Sequence, residues 1–402
     1  MPEGWELSLL TEFCGFITKG STPTTYGFKW AASGILFLRS QCVAEDGLDL
    51  EQSMYISPAA HEALRRSVVH DGDILITITG NVGRVVHLTG IGSANINQHI
   101  ARIRITWPCV EPRYIYQFLS QPGVRKHFES ITTGQAYPQI SLRQVRNQVI
   151  ALPSYSEQHA IAEALSDVDG LLGALKELIA KKQAIKWAAM QQLLTGKTRL
   201  PGFSGEWEVK RLGEVASIRN KKVLPSQVDA DTLCVELEHI GQGDGRLLEA
   251  SLARFSTSSK YRFFAGDVLF GRLRSYLRKH WRADRDGICT TEIWPLAVDP
   301  HLADSSFLHA IVQSDGFVDA ASISYGTHMP RADWDVLRNF EVALPQVPEQ
   351  RAIATALSDM DAEIEAVERR RDKTRAIKQG MMQQLLTGRI RLVKPQPTTE
   401  PQ

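Results

Sequence analysis

The sequence predicts an α/β protein: two globular domains separated by two long, related helices. Three observations lead there. The 402 residues exceed what one ordinary core holds and suit two domains with connecting elements. A stretch beginning at Leu152 returns at Leu344, a constant offset of 192 residues, and 26 of its 49 positions are identical without a gap, which marks a tandem duplication. Strand-like and helix-like runs alternate upstream of both copies.

Composition narrows the class. With 43% hydrophobic and 23% charged residues the chain reads as soluble and folded. Its first ten residues carry no basic stretch followed by an apolar run, and no segment approaches the roughly 20 apolar residues of a membrane span, so a cytoplasmic protein without membrane contact is expected. Five scattered cysteines without a C-x-x-C pair support neither a disulfide framework nor a zinc site. The net charge of +1 leaves nucleic-acid binding to be judged from where the charge sits.

The first domain is expected over residues 1–150. ILITIT (residues 74–79) and HIARIRI (residues 99–105) have the β-branched content of strands, and residues 112–130 read as a helix. Residues 19–25 form a hydroxyl-rich turn with Lys19, Thr22 and Thr24 as candidates, and Asn97-Gln98-His99 offers amide and imidazole edges through Gln98 and His99. Such groups hold phosphates or read base edges. An ordinary Ser/Thr/Gly/Pro loop explains residues 19–25 equally well.

Residues 151–200 and 343–392 carry the repeat. Ile161, Leu165, Val168, Leu172 and Leu175 recur at alternating steps of 4 and 3, as do Ile353, Leu357, Met360, Ile364 and Val367, which predicts two helices with a coiled-coil-like seam. Ser156 and Pro348 with Glu349 and Gln350 suit first turns, and Gly196 and Gly388 suit C-terminal caps. Roughly 38 residues at about 1.5 Å each make a rod of roughly 60 Å, a possible spacer. Antiparallel pairing as a coiled coil would relate the halves by a pseudo-two-fold axis, so that one chain imitates a dimer.

Polar identities within the repeat, Lys181 with Lys373, Lys186 with Lys378, and Gln191-Gln192 with Gln383-Gln384, point to a surface shared with one partner. Packing of each helix on its own domain is the plainer alternative. Candidate partner-binding residues are Gln191, Gln192, Leu193, Leu194, Gln383, Gln384, Leu385 and Leu386. Residues 176–199 net +5 and residues 368–394 net +7, which a charged coiled-coil face explains as well as nucleic acid does.

The second domain is expected over residues 201–342, with DVLFGRL (residues 267–273) as a strand and residues 305–322 as a helix. Residues 272–285 hold six basic side chains against Asp284 alone, with Tyr276 and Trp281 interleaved. This suits a phosphate-contacting strand and loop, with Arg272, Arg274, Tyr276, Arg278 and Lys279 as candidates. A solvated basic strand face is the alternative. Similarity at the 192-residue offset extends upstream of the helices, where Gly134, Pro138 and Asn147 meet Gly326, Pro330 and Asn339. Trp5-Glu6 is echoed by Trp207-Glu208, and DGDILITITG from Asp71 by AGDVLFGRLR from Ala265. The domains have diverged further than the helices, as expected if the helices keep one task while the domains face different things. Residues 393–402 are expected to be a flexible tail.

Catalytic signatures are missing. Leu194-Thr-Gly-Lys-Thr198 resembles the end of a phosphate-binding loop, but its first glycine would have to be Gln191, and the second copy loses both the lysine and the hydroxyl. Neither H-E-x-x-H, nor a nucleophile elbow, nor an Asn/Asp-Pro-Pro-aromatic methyltransferase tetrapeptide occurs.

Leu152-Pro153 followed by Glu157-Gln158 and Ile161, the run from Gln191 to Gly196, and the second copies at Leu344-Pro345, Glu349-Gln350-Ile353 and residues 383–388 resemble the specificity subunits of Type I restriction-modification systems, from Trp5 to Leu392. GDVLFGRLRSYLRK from Gly266, GICTTEIW from Gly287 and KGSTPTT from Lys19 look like target-recognition segments of that family, which adds Thr290 and Thr291 as candidates for DNA contact; Arg331, next to the matched Pro330, is a further candidate. The resemblance implies two target-recognition domains, each binding half of a split, asymmetric double-stranded DNA sequence. It implies recruitment of two modification subunits, which methylate adenine N6, and of restriction subunits. S-adenosylmethionine, ATP and magnesium chemistry would sit on those partners, leaving this chain without cofactor or catalysis. A coiled-coil scaffold with two protein-binding domains is the rival reading.

Overall fold

The computed structural model describes residues 2–134, 136–323 and 330–393. Gly326, expected to match Gly134, and the expected tail beyond residue 393 lie outside the described residues. The chain forms two compact units, the first of residues up to Lys176 with those from Arg370 onward, the second Glu177–Arg369. The division falls inside both long helices, Tyr155–Leu193 and Val347–Leu385, each of 39 residues. Each unit therefore holds one globular domain, the start of one helix and the end of the other.

In the first unit a four-stranded antiparallel sheet runs in the order Cys14–Lys19, Ile100–Ile105, Ile74–Thr77, Val85–His87. A second sheet orders Met54–Ile56, Ile35–Leu38, Ser93–Ile96 and Val68–His70, with Ile35–Leu38 and Ser93–Ile96 parallel. A short ribbon pairs Glu6–Leu9 with Val149–Leu152. Ile17, Ile74, Ile76 and Ile103 of the first sheet, apolar residues of the helices Pro112–Leu119 and Pro122–Ser130, and Ile161 and Leu165 of the first long helix share one core with Met382 and Leu385 of the second and Leu386 just past its end.

The second unit repeats this plan. Its antiparallel sheet orders Ala216–Ile218, Ile293–Val298, Val268–Gly271 and His280–Arg282. A five-stranded sheet places Gly287–Thr290 parallel to Leu233–Val235, and a ribbon pairs Glu208–Arg211 with Glu341–Leu344. Ile353 and Leu357 join Met190 and Leu193 in its core.

The registers match as well as the strand orders. Ile96 lies opposite Leu38 as Cys289 lies opposite Val235, and Ile100 pairs with Thr77 as Ile293 pairs with Gly271. By these registers Asn97-Gln98-His99 occupies the place of Thr290-Thr291-Glu292.

Two expected helices are broken. Residues 112–130 form two, because the residue before Pro122 must be extended, and Gln121 is (φ −62°, ψ 137°). Residues 305–322 split into Ser305–Ile311 and Asp315–Ser322, where the Ser314 hydroxyl accepts from Phe317 N and starts a new helix.

Within each unit the long-helix segments run antiparallel. In the first, Glu157 pairs with Arg391 and Asp169 with Lys378; in the second, Lys182 pairs with Glu363 and Lys186 with Asp361. The repeated Glu-Gln motif gains its meaning from these contacts. Glu157, fully buried, accepts from Arg391 Nε and Nη2 at 2.5 and 2.7 Å, and Glu349 accepts from Arg199 at 2.5 and 2.6 Å. Gln158 donates to Pro153 O and accepts from Glu111 N, as Gln350 donates to Pro345 O and accepts from Asp304 N. Past the helix ends Gly196 and Gly388 are left-handed (φ 68° and 67°), with Trp207 and Trp5 packed against them. The same tryptophans lie under the Arg199 and Arg391 guanidinium groups.

Candidate nucleic-acid interface

The first unit gathers its candidates at one corner. Gly20 makes this possible: a Cβ there would fall 1.8 Å from Ile96 O, so only glycine lets the 19–25 loop lie on the Ile96–Asn97 backbone. Gly20 N donates to Ile100 O and Ser21 N to Ile96 O, which brings the Thr22 hydroxyl to Gln98 Oε1. Gln98 Nε2 donates in turn to His99 Nε2 at 3.1 Å. Lys19 ends its strand exposed, and Thr24 lies exposed in the turn of 3-10 helix Pro23–Tyr26.

The chain then crosses the same corner twice more. Ile78 N donates to His99 O, Gly80 N to Pro138 O, and Thr79 bridges Gln139. Gln139 is exposed and Tyr137 is 76% exposed, two side chains that sequence reasoning passed over. Gln139 aligns with Arg331 at the 192-residue offset, the signal that could have found it.

The second unit builds the corner with the same backbone bonds and different side chains. Arg272 N donates to Glu292 O, Arg274 N to Pro330 O, and Leu273 bridges Arg331. Arg331 donates from Nε and Nη2 to the Glu292 carboxylate, each at 3.0 Å, and that carboxylate raises the guanidinium pKa further. The Arg272 guanidinium lies over the Trp294 ring at 5.0 Å. Arg274, exposed, adopts a left-handed φ of 53° that a non-glycine residue rarely holds. Tyr276 is 55% exposed beside it, and Thr290 and Thr291 are half-buried at the end of the parallel strand.

Two basic candidates are engaged within the unit itself. Arg278 donates to Gln313 O and to the Asp315 carboxylate and lies over Trp187, and Lys279 Nζ donates to Leu237 O at 2.6 Å. Both tie the 272–285 hairpin to its own unit and are half-buried.

The partner-binding candidates divide in the same way. Leu193, Leu385 and Leu386 are core residues, out of a partner's reach, and Leu194 packs against the second unit's core. Lys186 and Lys378 are identical for an internal reason: each ion-pairs at 2.6 Å with an aspartate of the opposite helix, Asp361 and Asp169. Gln192 is exposed but accepts from the Thr198 hydroxyl, and Gln384 is half-buried, so what remains both exposed and unengaged is a smaller set. Lys181, Ile185 and Gln191 in the second unit, and their identical counterparts Lys373, Ile377 and Gln383 in the first, are exposed. The four polar side chains among them make no hydrogen bond or ion pair among the described residues.

Among the described residues no cluster of three or more His, Cys, Asp or Glu could hold a metal ion, and all five cysteines are free thiols. No helix of the described residues is long and apolar enough to cross a membrane.

Comparison with known proteins agrees with this layout. The family described as the Type I restriction modification DNA specificity domain matches twice, over residues 2–186 and 204–373. The chain is 24% identical over 417 aligned positions to the Type I restriction enzyme MjaVIII specificity subunit of Methanocaldococcus jannaschii, covering 98% of this chain and 94% of that one. It is 25% identical over 350 positions to the EcoDI specificity subunit of Escherichia coli, covering 76% and 77%. Among solved structures, the Type I S subunit from M. genitalium superposes with a TM-score of 0.58 at 13% identity, over 95% of this chain and 96% of that one. A chain from a study of complex assembly and conformational transition of the Type I system gives 0.54 at 16%, over 97% and 99%. These two likenesses concern the fold. The two family matches, one to each half of a chain whose halves are built on one plan, place this protein among the non-catalytic DNA specificity subunits of Type I restriction-modification systems.

Proposed function

We propose that each unit reads one half of a split, asymmetric duplex target, and that the chain presents two equal docking patches to two copies of one modification subunit. The observation that carries this is a contrast. At the corners the backbone is kept and the side chains differ, as two readers of different sequences require. On the helices, exposed residues with no task inside the chain are kept identical, once per unit. Ile185 and Ile377, 52% and 51% exposed, are apolar positions that solvent alone gives no reason to preserve.

Restriction subunits would join the same assembly, and S-adenosylmethionine, ATP and magnesium would be bound by the partners, in the cytoplasm. Coiled-coil packing of the helix segments within each unit belongs to this proposal.

The test is co-expression with the modification subunit in a methylation-free host, followed by native mass measurement and mapping of N6-methyladenine. Two modification subunits per chain and a split motif that needs both proteins are expected. Ile185→Asp and Ile377→Asp should each lower the stoichiometry to one. A stable assembly without methylation would favour the scaffold reading.

A further inference from the structure

We infer that Gln98 in the first unit and Arg331 in the second are base-reading side chains on one shared backbone corner, and that Glu292 positions Arg331. This rests on the DNA-reading function proposed above. The corner is defined by hydrogen bonds that recur in both units: Ile78 N to His99 O and Arg272 N to Glu292 O, both 2.9 Å; Gly80 N to Pro138 O and Arg274 N to Pro330 O, both 2.9 Å; Ile140 N to Ile78 O at 3.0 Å and Ala332 N to Arg272 O at 2.8 Å. Three strand-edge segments thus meet in the same way twice, while nearly every side chain they present differs.

Each corner holds a long, exposed polar side chain whose polar head is tied to a neighbouring side chain. In the first unit Thr22 donates to Gln98 Oε1 and Gln98 Nε2 donates to His99. An amide has two acceptor lone pairs and two N–H donors, so one of each is left for a base edge. That complement matches the N6 donor and N7 acceptor of adenine.

In the second unit the Nε and Nη2 donors of Arg331 are taken by Glu292, with the side chains 46% and 28% exposed. The edge formed by the two terminal nitrogens keeps free N–H groups, the fork that fits O6 and N7 of guanine. Glu292 removes the rotamer freedom that a free arginine would lose on binding, which makes it a positioning residue. The counterpart of Arg331 in the first unit is the uncharged Gln139, so the two corners cannot favour the same base pattern.

Gln98→Ala, Arg331→Ala and Glu292→Gln should be expressed with the modification subunit and the methylated motif of each read genome-wide, with thermal unfolding as a control. Gln98→Ala should relax one base position in one half of the motif, and Arg331→Ala one position in the other half. Discrimination at that position should fall by roughly 5- to 150-fold, the range for one bidentate base contact. Glu292→Gln should relax the same position as Arg331→Ala, by less. Gln98→Glu and Arg331→Lys, which keep size and polarity, should also alter the motif at those positions and cover any variant whose unfolding temperature drops. A wild-type motif unaltered by the variants, or methylation lowered evenly at all positions, would overturn the assignment alone. No motif from the wild-type assembly would overturn the DNA-reading function and the assignment with it.

Discussion

Removing the Arg391 guanidinium should destabilise the first unit far more than loss of an ordinary surface arginine. The Glu157 carboxylate is completely buried, and both its oxygens are held by Arg391, whose own side chain is only 22% exposed. Arg391→Ala leaves that carboxylate buried without its counter-charge, a change that costs about 3–5 kcal/mol. Loss of the guanidinium from above Trp5 adds about 0.5–1 kcal/mol. An exposed ion pair would cost at most about 1 kcal/mol. The assay is urea unfolding of the full chain, with hydrogen exchange of peptides around Glu157 to locate the loss. A second substitution separates charge from packing: Glu157→Gln in the Arg391→Ala background removes the stranded charge and should restore part of the stability. A cost for Arg391→Ala below about 1 kcal/mol, or no recovery in the double variant, would refute the reasoning.

Arg199→Ala should behave alike in the second unit, because Glu349 is 3% exposed and held in the same bidentate way, with peptides around Glu349 showing the loss of protection. Stability should also fall with acid through the His280–His309 pair, whose rings hydrogen-bond at 2.9 Å. Burial, with Lys186, Arg278 and Arg282 nearby, lowers both pKa values, His309 to about 3. Below pH 6.5 the unfolded chain takes up protons that the folded one refuses, so stability present above pH 6.5 is lost as pH falls toward 3. For His309 this amounts to about 2 kcal/mol between pH 7 and pH 5, and His309→Asn should flatten the dependence measured by urea unfolding. Arg278→Ala should lower the unfolding temperature, whereas Arg272→Ala with Arg274→Ala should weaken binding to the second half-site and spare the first, measured by motif mapping and DNA affinity. Gly20→Ala, with no room for its Cβ, should displace the 19–25 loop and blur the first half-motif while the second stays intact.

The repeat, both helices and their caps were legible because a 3.6-residue period and glycine at a left-handed position are local properties of the chain. What the helices touch is not local. Lys186 and Lys378 resembled a preserved outer surface, yet the aspartates that explain them, Asp169 and Asp361, are also identical and lie in the opposite copy. Likewise Arg199 and Arg391 stood in the matched helix ends without a role, since each serves a glutamate about 150 and 234 residues away in sequence. The corner was legible only in pieces. The offset between equivalent residues is 192 at Gln139 and Arg331, 193 at Gln98 and Thr291, and 194 at Ile78 and Arg272, so a constant-offset comparison loses the thread at each shift. Charge then favoured the whole arginine-rich run and could not set apart Arg278 and Lys279, which bond within their own unit, while Glu292 stayed hidden as a single acidic residue between candidates.

The crossed contacts bear on why the duplication holds together. In each unit the buried glutamate at the start of one helix is neutralised by the arginine that follows the end of the other helix. Core leucines follow the same rule, with Leu385 and Leu386 beside Ile161 and Leu165, and Leu193 beside Ile353 and Leu357. Neither repeat therefore completes its own domain. A substitution in one helix end acts on the stability of the domain built by the other repeat, which keeps the two helix sequences under a common constraint. The corners take no part in that exchange: their side chains can change while the strands beneath them keep their register.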